Sequence, residues 1–431
     1  MEFRPAMGRE RFRSIWRRAA RAAPSLNGLA RTLNSMDATA RATPPPPSSH
    51  TRPVQAPISR DAPRSGPRLG HGLERFDPLK RRAADTPGLI SFAGGLPAPG
   101  EFPRSKLAAS FVRALQNPSR PALPWSWPEG DEDLRAWIAG QLRRRGAQVA
   151  RDDVIVTSGA RQAVSLAAQL VRGSRARIGV DRESSPGALD RFQELGATVV
   201  DGDSNVDAYY LMPAVSNPRG RTLSRSDRAR VLSTLRPIIE DDAYADLSFD
   251  GAAPRPLLAE APDRVFHVGT FSKTLCPGLR VGWLVPPRSL RAEALQLKQS
   301  ADQQAASLPQ AILEDYLRTE DFDQRLVRLR EFYGRRAARM ERALRKHLPG
   351  WRFDPPAGGF AIWVEPDAEP NEAFFLAAAI EHGVAFDPGS LFRAHGAVNP
   401  FALRLCFSSV ACDEDLDEGV RRLARCWAEV A

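Results

Sequence analysis

Between Pro118 and Ser300 the chain alternates short β-branched runs with stretches of helical spacing, and no other feature narrows the fold as much. Runs starting at Val154, Arg177, Ala197, Pro237 and Phe266 read as strands, with helices between them. Strands separated by helices pair through crossovers, which gives a mainly parallel sheet with helices against its faces. The expected fold class is therefore α/β. A chain of 431 residues exceeds one small core and predicts two domains with appendages. No apolar run approaches the roughly 20 residues that cross a bilayer, so no membrane partner is expected. Cys276, Cys406, Cys412 and Cys426 lack both zinc-ligand spacing and the density of a disulfide scaffold. They fit thiols in a reducing compartment, and a cytoplasmic location is expected.

The formal charge of +10 raises nucleic acid as a partner. Fourteen arginines against six acidic residues precede Leu79, however, so most of the excess belongs to a tail. That tail, with its run Pro44 to Pro47, lacks the apolar residues to offset ordering entropy and is expected to be solvated and unfolded. Arg9 to Arg21 could form a short basic helix carrying Trp16. No long apolar run follows Arg17-Arg18, which argues against a secretory signal, and weak attraction to phosphates is the other role open to it. No helix-turn-helix pattern is found, and nucleic acid is not expected as a partner. The expected organisation is a basic tail over 1–78, an arm and part of a small domain over 79–118, a large domain over 119–304 and a small C-terminal domain over 305–431.

Phe266 to Trp283 reads FHVGTFSKTLCPGLRVGW. Its lysine, Lys273, is one of only five, among an abundance of arginine. A desolvated lysine can lose its proton and attack a carbonyl; an arginine cannot. The bland alternative is a buried strand followed by a loop with one surface lysine. Val154 to Gln169 reads as strand, Ser-Gly turn and helix, whose first N–H groups are free to bind a phosphate. Such a turn alone is weak evidence, since any α/β protein has several. Pro237 to Asp246, PIIEDDAYAD, is a buried-looking strand ending in acids, and no histidine or further carboxylate supports a metal there. Arg404 lies in FALRLCFS, where a cation among apolar neighbours is costly to bury without an anion. His267 and His382 read as structural. Leu134, Trp137, Ile138 and Leu142 recur at helical spacing and read as core.

Taken together these segments resemble fold-type I pyridoxal-phosphate-dependent enzymes of the aminotransferase class I/II family. The likeness is to kynurenine and 2-aminoadipate aminotransferases and to the aminotransferase-like domain of GntR/MocR regulators. It covers nearly everything after Leu79, with motifs in the family's order: ISFAGGLPAPGEFP, VTSGARQA, MPAVSNPRG, DDAYAD, TFSKTLCPGLRVG, PPAGGFAIWVE, GVAFDPGSLF and FALRLCFS. The resemblance implies a smaller α/β domain built from the C-terminal part and the arm near Leu89, and pyridoxal 5′-phosphate as cofactor. It makes Lys273 the Schiff-base lysine and the base that moves the Cα proton. Asp241 would face the pyridine nitrogen, and Tyr244 and Asn217 the phenolic oxygen. Gly159, Ala160, Arg161, Thr270, Ser272 and Arg280 would hold the phosphate. Arg404 would bind the substrate α-carboxylate, with Asn217 nearby and Gly95 as a backbone contact.

Two positions depart from the family's pattern. Ser185 stands where a tyrosine usually stacks on the pyridine ring, and Trp125 where a tyrosine reaches across a dimer interface to the phosphate. The expected function is transamination of an α-amino acid to a 2-oxo acid through a Cα carbanion, in a homodimer. Ser185 and Trp125 motivate an alternative, in which the carbanion is diverted to β- or γ-replacement, decarboxylation, oxidation or carbon–carbon bond formation. A regulator that senses pyridoxal phosphate is a third reading.

Overall fold

A computed structural model describes residues 86–118, 122–172, 176–202, 205–251, 253–394 and 400–430. The tail over 1–78, with the Arg9 to Arg21 segment, lies outside the described residues. Strand β1 (Ile90–Phe92) is followed by helices α1 (Arg104–Gln116) and α2 (Glu132–Arg144). Helix α2 begins where the Asp131 carboxylate accepts the Leu134 N–H at 2.8 Å, a side-chain cap that satisfies a free donor of the first turn. It buries Leu134, Ile138 and Leu142, as their spacing predicts, while Trp137 packs at its edge against Phe271 and Phe322.

The large sheet holds β2 (Ile155–Thr157), β3 (Arg177–Val180), β4 (Thr198–Asp201), β5 (Ala208–Leu211), β6 (Ile238–Asp241), β7 (Val265–Thr270) and β8 (Gly282–Val285). Their order is β2-β8-β7-β6-β5-β3-β4. All pairings from β7 to β4 are parallel, and only β8 runs against its neighbours. Helices α3 (Ala160–Arg172), α4 (Pro186–Glu194) and α5 (Arg225–Ser233) form connections between them. Every residue of β5, β6 and β7 is buried, as strands covered on both faces should be. The sequence expectation of a mainly parallel α/β sheet therefore holds. Parallel strands end together, so the loops after Thr157, Leu211, Asp241 and Thr270 gather at one edge, where open α/β sheets bind ligands.

Helices α6 (Arg291–Asp302), α7 (Ser307–Thr319) and α8 (Phe322–His347) lead to a second sheet. It comprises β9 (Arg352–Phe353), β10 (Ala361–Glu365), β11 (Val384–Pro388) and β12 (Leu403–Cys406), with α9 (Glu372–Glu381) and α10 (Glu414–Val430). Strand β1 joins its edge by parallel pairing with β11, Ile90 opposite Val384, which draws the arm back to the C-terminal part. Leu416, Val420 and Leu423 form the buried face of α10. Cys406 and Cys426 are buried, Cys276 is half-buried and Cys412 exposed, all four as free thiols. Among the described residues no helix is long and apolar enough to cross a membrane, and no three potential metal ligands cluster.

Candidate active site

A cavity of about 370 Å³ opens at the carboxyl ends of β5, β6 and β7, and Lys273, Asp241, Asn217, Tyr244, Ser185 and Arg280 all line it. Lys273 follows the turn that ends β7. Its Nζ donates to the Gly95 carbonyl at 3.0 Å and lies 5.0 Å from the centre of the Tyr244 ring and 5.6 Å from that of Phe360. Gly95 has φ +58, and a Cβ there would sit 3.1–3.2 Å from the terminal nitrogens of Arg404. Glycine is needed to bring that carbonyl to the lysine while leaving room for the arginine.

Gly159 turns the chain from β2 into α3 with φ +94. Its missing side chain leaves space for Arg280, whose Nη2 donates to the Ser158 carbonyl at 2.8 Å. Ala160 and Arg161 open α3, so their N–H groups belong to the free end of the helix. The Thr270 hydroxyl donates to the Val281 carbonyl at 3.0 Å and accepts the Ser272 N–H at 3.2 Å, so it braces the turn itself. Behind this cup, Gln162 accepts the Ser158 N–H at 2.7 Å and donates to Asp302 at 2.8 Å, and the buried Lys298 pairs with Asp302 at 2.6 Å. The Arg161 guanidinium lies against Gly187, where a Cβ would meet Nη2 at 3.1 Å.

Asp241 ends β6 at the cavity floor. Burial pushes its carboxyl above the usual range, while the Tyr210 hydroxyl donating at 2.7 Å and the Ala243 N–H at 3.1 Å oppose that shift. Tyr210 is itself held well above the ordinary phenol range, by burial and then by the Asp241 charge. Sequence reasoning missed Tyr210; its significance depends on the pairing of β5 with β6. The neighbouring Asp242 serves a different cluster, bonded to Arg145 and, at 3.0 Å, to Nε2 of His267. Burial raises the Asp242 carboxyl, but Arg145 and His267 outweigh it and hold it well below the usual range. His267 and His382, read from sequence as structural, are held in place, the first by Asp242 and the second by the Ala378 carbonyl and Glu429.

Arg404 projects from β12, where Asn217 Oδ1 accepts from its Nη1 at 2.8 Å and Asp387 accepts from Nη2 at 2.6 Å. Asp387 was not singled out in the sequence. Ser185 precedes α4 as its N-terminal boundary residue, with Pro186 at the first helical position, and lines the cavity wall. Trp125 is not brought to this cavity within one chain: it is 78% exposed and lines a separate cavity of about 220 Å³. A larger cleft of about 620 Å³ near Arg219 is lined by surface arginines and acids and holds none of the predicted residues.

The cavity is complementary to a phosphorylated pyridine aldehyde. Asp241 is a buried carboxylate with space for a cationic nitrogen, the Gly159 cup offers N–H groups and Arg280, and Lys273 lies between them. Fold and site together define a fold-type I pyridoxal-phosphate enzyme. The family model for aminotransferase class I and II matches residues 209–423. A 2-aminoadipate transaminase of Thermus thermophilus is 34% identical over 367 residues, 79% of this chain and 90% of the relative. The crystal structure of an alpha-aminoadipate aminotransferase from the same species, complexed with N-(5′-phosphopyridoxyl)-L-leucine, superposes with a TM-score of 0.74 at 31% identity, covering 84% of this chain and 97% of the other. An uncharacterized HTH-type transcriptional regulator of Escherichia coli, YdcR, is 30% identical over 343 residues, 74% of this chain and 72% of the regulator. The chain belongs to the aminotransferase class I and II family; it is an aminotransferase, and its cofactor is pyridoxal 5′-phosphate.

Proposed function

We propose that the chain transfers the amino group of an α-amino acid to a 2-oxo acid at the cavity around Lys273. The observation that carries this reading is that Lys273 and Asp241 line one cavity and Arg404 is bonded to Asn217 of its wall and packed against Gly95, the acceptor of Lys273. The bound cofactor supplies the electron sink that acidifies the Cα–H of the amino acid. Lys273 would hold the cofactor and supply the amine that moves the proton at Cα, and the Gly95 carbonyl that accepts from its Nζ would receive the ammonium. Asp241 would keep the ring nitrogen protonated, Tyr244 and Asn217 would serve the phenolic oxygen, and Ser185 would stand at the wall beside the ring. Gly159, Ala160, Arg161, Thr270, Ser272 and Arg280 hold the phosphate. Arg404 grips the substrate α-carboxylate through two donors of one plane, with the Gly95 backbone against it.

Trp125 is assigned to the cofactor of a second copy in a homodimer, which fits its exposure here. The domain division at residues 78, 118 and 304 and a cytoplasmic location belong to the same proposal. The test is glutamate formation from 2-oxoglutarate with a panel of amino acids, headed by 2-aminoadipate and the aromatic amino acids named for relatives. Glutamate that depends on Lys273 supports the reading. Amino acid consumed without glutamate, with carbon dioxide or an eliminated side-chain group released, would replace it with the diverted chemistry that Ser185 motivates. Salt-sensitive, sequence-selective DNA binding without turnover would favour the regulator reading instead.

A further inference from the structure

Asp387 stands directly across from Arg404 in the antiparallel pairing of β11 with β12. Its carboxylate is buried, and one oxygen, Oδ2, accepts from Arg404 Nη2 at 2.6 Å and Nε at 3.2 Å and from the Gly94 N–H at 2.8 Å. A guanidinium carries five N–H donors. Asp387 engages one on Nε and one on Nη2, and Asn217 engages one on Nη1. One N–H on each terminal nitrogen is left, and both nitrogens lie against Gly95, whose missing Cβ leaves the space open. A single carboxylate accepts such a pair with two parallel bonds.

We propose that Asp387 is a positioning residue of the substrate-carboxylate site. It fixes the rotation of the Arg404 guanidinium, so that the two free donors are set before substrate arrives. It also ties that arginine to the Gly94–Gly95 turn, the same turn whose carbonyl receives Lys273. A buried arginine without a partner would be driven to reorient or to admit water; Asp387 keeps it both paired and aimed. Affinity gained this way comes from pre-organisation, since no ordering of the arginine remains for the ligand to impose. The inference rests on Arg404 being the carboxylate site.

The experiment measures, by titration calorimetry on the cofactor-loaded enzyme, the dissociation constants of the non-reacting carboxylates 3-phenylpropanoate and glutarate. Asp387→Asn keeps an acceptor oxygen and loses the charge, whereas Asp387→Ala loses both. We expect the asparagine variant to bind within threefold of wild type or more tightly, since it removes a like charge beyond the guanidinium. The alanine variant should bind at least tenfold more weakly, and in an Arg404→Gln background the same alanine substitution should change binding less than twofold. Should the alanine variant not fold, Asp387→Leu fills the space without an acceptor and carries the same expectation. Alanine or leucine binding as tightly as wild type would overturn the proposal, leaving Asp387 as a charge balance only. So would a loss that persists undiminished in the Arg404→Gln background. Failure of the carboxylate site itself has another signature: Arg404→Gln alone would leave binding unchanged, or neither probe would bind the wild type.

Discussion

Replacing Gly159 by alanine separates two properties of the phosphate turn. Gly159 has φ +94, a conformation that costs a residue with a side chain about 1–3 kcal/mol, and this falls on the folded state with or without cofactor. The new Cβ would lie 2.8 Å from Nη2 of Arg280 and 3.2 Å from its Cζ and Nη1. The guanidinium must swing away, losing its 2.8 Å bond to the Ser158 carbonyl. If Arg280 holds the cofactor phosphate, a charge-assisted contact of about 1.5–3 kcal/mol is lost with it. At about 1.4 kcal/mol per decade, the dissociation constant of pyridoxal phosphate rises roughly ten- to a hundredfold. The apo-protein should melt about 1–4 °C lower from the strain alone. Stripped protein titrated with pyridoxal phosphate, followed by tryptophan fluorescence and by cofactor absorbance, gives the affinity, and scanning calorimetry gives the melting shift. Arg280→Ala should reproduce the weaker binding without the strain. A lower melting point with cofactor affinity within twofold of wild type would remove Arg280 from the phosphate. An unchanged melting point would refute the left-handed turn.

Lys273→Ala should abolish glutamate formation and covalent capture of the cofactor: after borohydride reduction, mass spectrometry finds the phosphopyridoxyl adduct on the Lys273 peptide of the wild type and on no peptide of the variant. Tyr210→Phe removes a donor that favours the ionised form of Asp241, so the Asp241 carboxyl moves further up. The acid limb of the kcat/KM profile should then shift to higher pH; a shift to lower pH would contradict the role given to Tyr210. Asp242→Asn breaks the buried cluster with Arg145 and His267 and should lower stability by about 3–5 kcal/mol at pH 7. Because the folded Asp242 carboxyl lies below its unfolded value, its contribution is full above pH ~4 and fades only as pH falls through the folded value. Urea denaturation of both proteins at pH 7, 5 and 4 should therefore show nearly the same difference, and a difference that shrinks between pH 7 and 5 would reverse that sign.

What could be read from the sequence is what is local. Lys273, Gly159, Asn217 and Asp241 each lie at a fixed offset from the end of a strand, so a short motif carries both the turn and the group it presents. Arg404 was legible as a cation in an apolar strand. Its partner was not, because Asp387 precedes Pro388-Gly389 and reads as the start of a solvated turn. Only the register of β11 against β12 places it opposite Arg404. Tyr210 is hidden in the same way: it looks like one more aromatic of a buried strand until β5 is set beside β6. Asp241 and Asp242 are adjacent in sequence and opposite in role, the first at the cavity and the second in the packing of β7 against the end of α2. Trp125 could be aligned from its motif, but within one chain it stays exposed and away from the Lys273 cavity.

Ser185 shows how the site redistributes control of the cofactor. An aromatic ring stacked on the pyridine contributes about 0.5–1.5 kcal/mol beyond the area it buries. Each charge-assisted bond at the phosphate contributes about 1.5–3 kcal/mol. The stacking contribution by itself is therefore smaller than one phosphate contact; what its loss also surrenders is restraint on the tilt of the ring. Ser185 lies beside the buried Tyr210, whose hydroxyl donates to Asp241. The wall position thus neighbours the donor that serves Asp241, and the Arg161 guanidinium lies against Gly187, two residues further on. On the proposed role of Asp241, the donor from Tyr210 is kept while steric control over the ring face is relaxed. On the proposed roles, the bond aligned for cleavage is then chosen from the substrate's side, by where Arg404 would hold the carboxylate relative to Lys273. That places the weight of reaction specificity on the strand pair β11–β12 and on the Gly94–Gly95 turn that joins the arginine to the lysine.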